Sequence, residues 1–125
     1  PALFFGMAHV TNPGATWLST SNTVIFGVLF GTAYVLTGEL AFPIGLHFAW
    51  DYLQGFVFGV AGDGSQYGAV LVLAPSRAAG PRWTGLPYGV EAGALGTVAM
   101  IAGFLLLIAL MRTRLGAVMR VNPGT

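Results

Sequence analysis

From Pro1 to Gly38 the chain carries no Asp, Glu, Lys or Arg, and a second uncharged run covers the 20 residues from Ala92 to Met111. A run of about 20 apolar residues is what a helix needs to cross the hydrocarbon core of a bilayer. The whole chain of 125 residues holds nine charged side chains, 7%, where a water-soluble domain of ordinary composition holds roughly a quarter. So few charges cannot coat a water-exposed globule, and the sequence reads as an integral membrane domain, all-α, built as a polytopic helix bundle. Its net charge of +1 offers no field for nucleic acid. With no cysteine there is no disulfide, thiolate metal site or cysteine nucleophile.

Four apolar segments are expected, at about residues 2–10, 16–36, 41–59 and 91–111, with a long loop over 60–90. The first opens on Pro1 with its apolar run already under way, so it reads as the end of a helix. The chain as a whole then reads as the C-terminal part of one membrane domain, with three complete transmembrane helices and the end of a fourth. Asn12-Pro13-Gly14 ends the first segment, because the residue before a proline avoids helical geometry. Thr37-Gly38-Glu39 turns the chain between the second and third. Pro43 suits the first turn of the third, where a missing N–H costs little. The loop is rich in Gly, Ser, Asp, Pro and Arg, with one apolar patch at Ala69–Ala74 that suggests a short embedded or strand-like piece. Glu91 is placed at the entrance of the last helix, where an acid meets the positive dipole end, and Arg112 and Arg114 close that helix. The tail after Met111 holds three arginines against two in the loop, which points the C-terminus to the cytoplasm. The 19 glycines include pairs four apart at Gly27/Gly31, Gly55/Gly59 and Gly89/Gly93, read as tight packing with no specific partner.

A polar or ionisable side chain at bilayer depth costs about 2.5–3.5 kcal/mol on insertion scales and needs a reason to be there. His9, His47 and Asp51 are the three such groups. His47 and Asp51 are four apart on one helix and share a face, as do Phe5 and His9 on the preceding one. Asp51 is expected to be buried. These residue types allow two readings. One is a hydrogen-bonded staple within the bundle. The other is a polar site in which His9, His47 and Asp51 hold a metal or activate water, with His9 and His47 as candidate metal ligands.

Phe5-Gly-Met-Ala-His9, the Asn12-Pro13 break, Thr37-Gly38-Glu39-Leu40 and Pro43-Ile-Gly-Leu-His47-Phe-Ala-Trp-Asp51 together resemble the CPBP family of intramembrane metalloproteases, the CAAX-processing and bacteriocin-processing type. Phe5 and His9 match that family's F-x-x-x-H motif, and His47 and Asp51 its H-x-x-x-N/D motif. Gln54–Gly59 and Tyr88-Gly-Val-Glu91-Ala-Gly93 also look like family words. The resemblance implies an intramembrane endopeptidase acting on a peptide or membrane-protein substrate. Water attacks the peptide bond, His9 positions that water or binds a metal, and His47 with Asp51 stabilises the oxyanion. It further implies a divalent metal cofactor, with zinc as the candidate, contact with membrane lipid, and a place in a prokaryotic plasma membrane.

The family's Glu-Glu-x-x-x-Arg motif, whose first Glu is assigned to activating water, has no counterpart here. Glu39, in a turn, and Glu91, at a helix entrance, lack its surroundings. The expectation is that this motif lies upstream in a longer protein and that the fragment alone is inactive. The alternative function is a non-catalytic immunity or scaffold protein of the same fold; a small transporter piece with His47–Asp51 as proton relay ranks below both. Straight spans place His9 and His47 about 10–15 Å apart in depth, so Val10–Asn22 is expected to re-enter the membrane.

Overall fold

A computed structural model describes residues 1–66, 68–71 and 80–121, with the side chains of 114–121 excepted. The described residues are helical, in the order α1 (Ala2–Ala8), α2 (Trp17–Thr37), α3 (Ala41–Asp51), a π-helix (Tyr52–Val57), α4 (Pro81–Thr84), a 3-10 turn (Val90–Ala92) and α5 (Ala94–Val121). They contain no strand, only an isolated antiparallel bridge between Gly62 and Ser65. Two helical segments are long and apolar enough to cross a membrane, Trp17–Thr37 and Ala94–Thr113. Of the three complete spans expected, those of the second and the last segments are thus long and apolar enough among the described residues. The third segment is 11 residues of α-helix followed by six of π-helix, about 25 Å long and short of a hydrocarbon core of about 30 Å.

Local chemistry sets these boundaries. After α1 the chain makes consecutive turns, with the Asn12 and Ala15 N–H groups donating to the His9 and Asn12 carbonyls at 3.1 and 3.0 Å. Thr16 then starts α2 through a capping box, its Oγ1 accepting from the Ser19 N–H at 3.1 Å while Ser19 Oγ accepts from the Thr16 N–H at 2.7 Å. This reciprocal cap satisfies two otherwise orphaned donors. It makes Trp17–Asn22 helical, so the expected re-entrant stretch Val10–Asn22 shrinks to a short turn before Thr16. α2 ends at Gly38, whose left-handed φ of 71° suits glycine.

Two further expectations are revised. The last helix does not end at Met111: it runs to Val121, since no proline or turn pair interrupts the sequence before Asn122-Pro123. Arg112 and Arg114 thus lie within the helix and do not close it. The 60–90 segment is partly ordered by α4, with Pro81 at its first position, and by the Gly62–Ser65 turn. Tyr67 and residues 72–79 lie outside the described residues, and with them much of the Ala69–Ala74 patch.

The core joins α2 to α5, where Leu29, Ala33 and Leu107 are buried and Leu36, Phe104 and Met111 pack around them. Large apolar side chains face outward instead of polar ones: Phe4 and Trp17 are each 80% exposed. α1 lies close against α2. A Cβ on Gly27 would stand 2.8 Å from the Ala2 Cα, whereas one on Gly31 would meet nothing within 4 Å. The spaced pair Gly27/Gly31 thus has one packing member, and its partner is α1. Gly27→Ala is expected to lower stability by about 1–3 kcal/mol through overpacking against backbone. Gly31→Ala should be neutral or gain up to about 1 kcal/mol of helix propensity. Thermal unfolding of both variants in the same detergent checks this; equal effects would refute the contact.

Candidate active site

Phe5 and His9 stand one turn apart on α1. The Phe5 ring lies 4.7 Å from the His9 ring and 5.7 Å from the His47 ring, centroid to centroid, so one aromatic ring separates the two histidines. Phe30 of α2 completes the packing, 4.9 Å from His47 and 6.0 Å from Phe5. α2 thus holds α1 and α3 on one side, with both histidines on a common cleft.

Each histidine faces a carboxylate. His47 Nε2 is 3.4 Å from Asp51 Oδ2, one helical turn on. His9 Nε2 is 3.5 Å from Asp63 Oδ2, a residue of the 60–90 segment. His9 Nδ1 lies 2.7 Å from the Phe5 carbonyl. A carbonyl only accepts, so this contact puts a proton on Nδ1. Asp63 sits at φ 52°, in the left-handed region that Asp tolerates better than most residues. The next residue must be small, because a Cβ on Gly64 would run into the Pro13 carbonyl. The Gly62–Ser65 turn therefore lies flush against the turn that follows His9. Tyr88, 1% exposed, donates from its hydroxyl to Asp63 Oδ1 at 3.1 Å, and the Gly64 N–H donates to the Tyr88 carbonyl at 2.8 Å. Burial and the neighbouring Asp63 charge push the Tyr88 hydroxyl well above the ordinary tyrosine range.

Glu91 is the buried carboxylate of the cleft, 6% exposed. Its Oε1 accepts from Trp50 Nε1 at 3.0 Å and its Oε2 from Gln54 Nε2 at 2.9 Å. Its own carbonyl accepts from Asn22 Nδ2 at 2.6 Å, and Asn22 Oδ1 accepts from Thr97 Oγ1 at 2.8 Å. Gln54 also donates to the Ala61 carbonyl at 2.6 Å. Burial pushes the Glu91 carboxyl above the usual carboxylate range, opposed by the Trp50 and Gln54 hydrogen bonds.

One expectation is sharpened here and one changes. Glu91 does stand at the entrance of the last helix, in the 3-10 turn before α5, but it is buried there and points into the cleft. Asp51 is not buried, since its side chain is 56% exposed against 40% for His47. The reason is rotation about α3. Trp50 turns inward to Glu91, and its neighbour Asp51, about 100° further round, falls on the open side. Glu39 stays in an exposed turn.

His9, His47 and Asp51 thus border one cleft together with Asp63 and Glu91, which the motifs did not select. The cleft offers about 20 Å³ of room, enough for one water molecule. Among the described residues no group of three His, Asp or Glu side chains is placed to hold a metal, and each histidine Nε2 is turned to its own carboxylate. These donors of the described residues do not fit a three-ligand metal site.

Residues 1–53 match the family model described as Rce1-like, type II CAAX prenyl endopeptidase Rce1-like. The match spans Phe5, His9, His47 and Asp51 and is consistent with a member of the CAAX-processing, or CPBP, family. Neither the curated proteins nor the solved structures give a significant match to the chain.

The raised Glu91 carboxyl has a signed consequence for stability. A folded-state value above the unfolded one favours the protonated form, so that contribution is present at low pH and lost as pH rises through the folded value. The melting temperature of the wild-type chain in detergent should therefore fall relative to Glu91→Gln between pH 5 and pH 8. Glu91→Ala should cost about 1–3 kcal/mol for each buried donor left unpaired. A gap between wild type and Glu91→Gln that is the same at both pH values would contradict the burial argument.

Proposed function

We propose that the chain carries water-activating groups of an intramembrane endopeptidase of the CAAX-processing type. The observation that supports this most is the pair of histidines flanking Phe5, each against a carboxylate, around a space sized for one water. In this reading the water bound beside His9 attacks the scissile carbonyl carbon. One water proton leaves to an acceptor in the cleft, and the carbonyl π electrons move to its oxygen. The developing oxyanion meets a ring N–H of His47, whose orientation Asp51 fixes, and such preorganised donors stabilise the transition state. Collapse of the tetrahedral intermediate breaks the C–N bond, and the amine leaves with the transferred proton. The exposed side at Asp51 is the entry for the peptide, since the interior has no room for it.

An apolar groove of about 310 Å³ between α2, α3 and α5, lined by Phe26, Leu29, Leu46, Met100 and Leu107, shares Trp50 with the cleft. It supports a peptide or membrane-protein substrate carrying an apolar tail, and membrane lipid as the surrounding partner. The reading extends to a prokaryotic plasma membrane with the C-terminus on the cytoplasmic side, on the arginine excess after Met111.

The test is cleavage of a fluorogenic farnesylated CAAX-type peptide by the full-length protein that carries these residues, in lipid nanodiscs. His9→Ala and His47→Ala are each expected to lower kcat/KM by about 100-fold or more. Cleavage retained with both histidines replaced would end the proposal. A chain that binds the peptide without cleaving it would instead support the non-catalytic scaffold of the same fold.

A further inference from the structure

We propose that Trp50 and Phe26 form a wall between the histidine cleft and the apolar groove, and that this wall selects against substrates whose apolar tail is short. This deepens the endopeptidase reading above and rests on it.

Trp50 and Phe26 line both cavities. The helical phase of α3 accounts for Trp50. Leu46, Ala49 and Leu53 line the groove, whereas His47 and Asp51 line the cleft. Residues three, four and seven apart share a helix face, so one side of α3 serves each cavity. Trp50 stands where the two sides meet. Phe26 answers it from α2, with ring centroids 4.9 Å apart and planes at 69°, an edge-to-face arrangement that aromatic pairs favour. The row of rings continues from Phe26 to Phe30 at 5.2 Å and from Phe30 to His47 at 4.9 Å. The wall is therefore continuous with the histidine that meets the oxyanion.

Both halves of the wall are held in place. The indole has a single donor, and Trp50 commits it to Glu91 Oε1 at 3.0 Å. Turning the ring aside would leave that buried carboxylate short of a donor, which is costly. Phe26 is buried and backed by Phe30, so it has no free space to swing into.

A peptide bond placed at His47 puts the substrate on the cleft side of the two rings. A tail on the same peptide must pass round the half-buried edge of Trp50 before it meets the apolar lining of the groove. Only the part beyond the rings is withdrawn from its surroundings into the groove. The length used in clearing the rings gains little, whereas each methylene seated past them adds about fourfold to binding if its full transfer value is realised. A short tail ends before the groove, and a long one reaches into it. With the rings cut back, groove and cleft join, and the first methylenes of any tail are seated too.

The experiment uses the full-length protein that carries these residues, in nanodiscs of one lipid composition. Two fluorogenic peptides of one sequence are compared, one with an S-octyl and one with an S-hexadecyl tail. The readout is the ratio of their kcat/KM values within each preparation, which does not depend on the fraction of active protein. Partition of the tails into the bilayer is common to all variants and cancels when their ratios are compared. Trp50→Ala and Phe26→Ala are each expected to lower the hexadecyl-to-octyl ratio by about tenfold or more. Trp50→Phe keeps a ring against Phe26 but loses the bond to Glu91, and should lower it by about threefold. If Trp50→Ala fails to fold, Phe26→Ala and Trp50→Phe decide on the same readout. A wild-type ratio retained in Phe26→Ala and the Trp50 variants would overturn the wall and leave the endopeptidase reading standing. A wild-type protein that cleaves neither peptide would overturn that reading, and the selection with it.

Discussion

The buried carboxylate of Glu91 is the interaction on which the arrangement depends. A carboxylate taken out of water must find donors, and these come from Trp50 and Gln54. The same short turn is fastened to α2, because the Glu91 main-chain carbonyl accepts from Asn22 and Thr97 closes the link to α5. One residue thus sets how α2, α3 and the start of α5 meet. With Trp50 committed inward, Asp51 falls on the open side, and His47, one turn earlier, faces the cleft from α3. The π-helix follows from the same demand. Its wider winding begins at Tyr52 and contains Gln54, the residue that reaches both Glu91 and the Ala61 carbonyl.

The second constraint is the approach of α1 to α2. Gly27 lets Ala2 come within reach of its backbone, and that places Phe5 against Phe30 and His47. Without so close an approach, Phe5 could not pack against both histidine rings. The site is therefore an outcome of helix packing at small residues, with polar groups added where packing leaves a gap. Its open flank and single-water interior suit a reaction in which the substrate arrives from the side.

Much of this was legible in the residues. Two uncharged runs gave the long helices, Asn12-Pro13-Gly14 and Gly38 gave the breaks, and the spacing of Phe5, His9, His47 and Asp51 gave two histidines on two helices. What was hidden was which carboxylate goes where. Asp63-Gly64 reads in sequence as a turn and nothing more, because only the folded chain brings that turn onto Pro13 beside His9. Glu91 has the position of a helix-dipole acid, and its burial depends on donors 37 and 41 residues away. Asp51 was placed by segment depth, when rotation about α3 decided its exposure. The third segment read as a span from its apolar content, while its end is given over to the π-turn that serves Glu91.

The central claim is that water held beside His9 attacks the peptide bond directly. Cleaving the peptide with the full-length protein that carries these residues, in H₂¹⁸O with hydroxylamine present, and weighing the products by mass spectrometry tests it most directly. The account predicts a cleaved product whose new carboxylate carries one ¹⁸O, with no hydroxamate formed. A hydroxamate product would reveal a covalent acyl intermediate, and no cleavage at all would remove the reaction; either result would contradict the account.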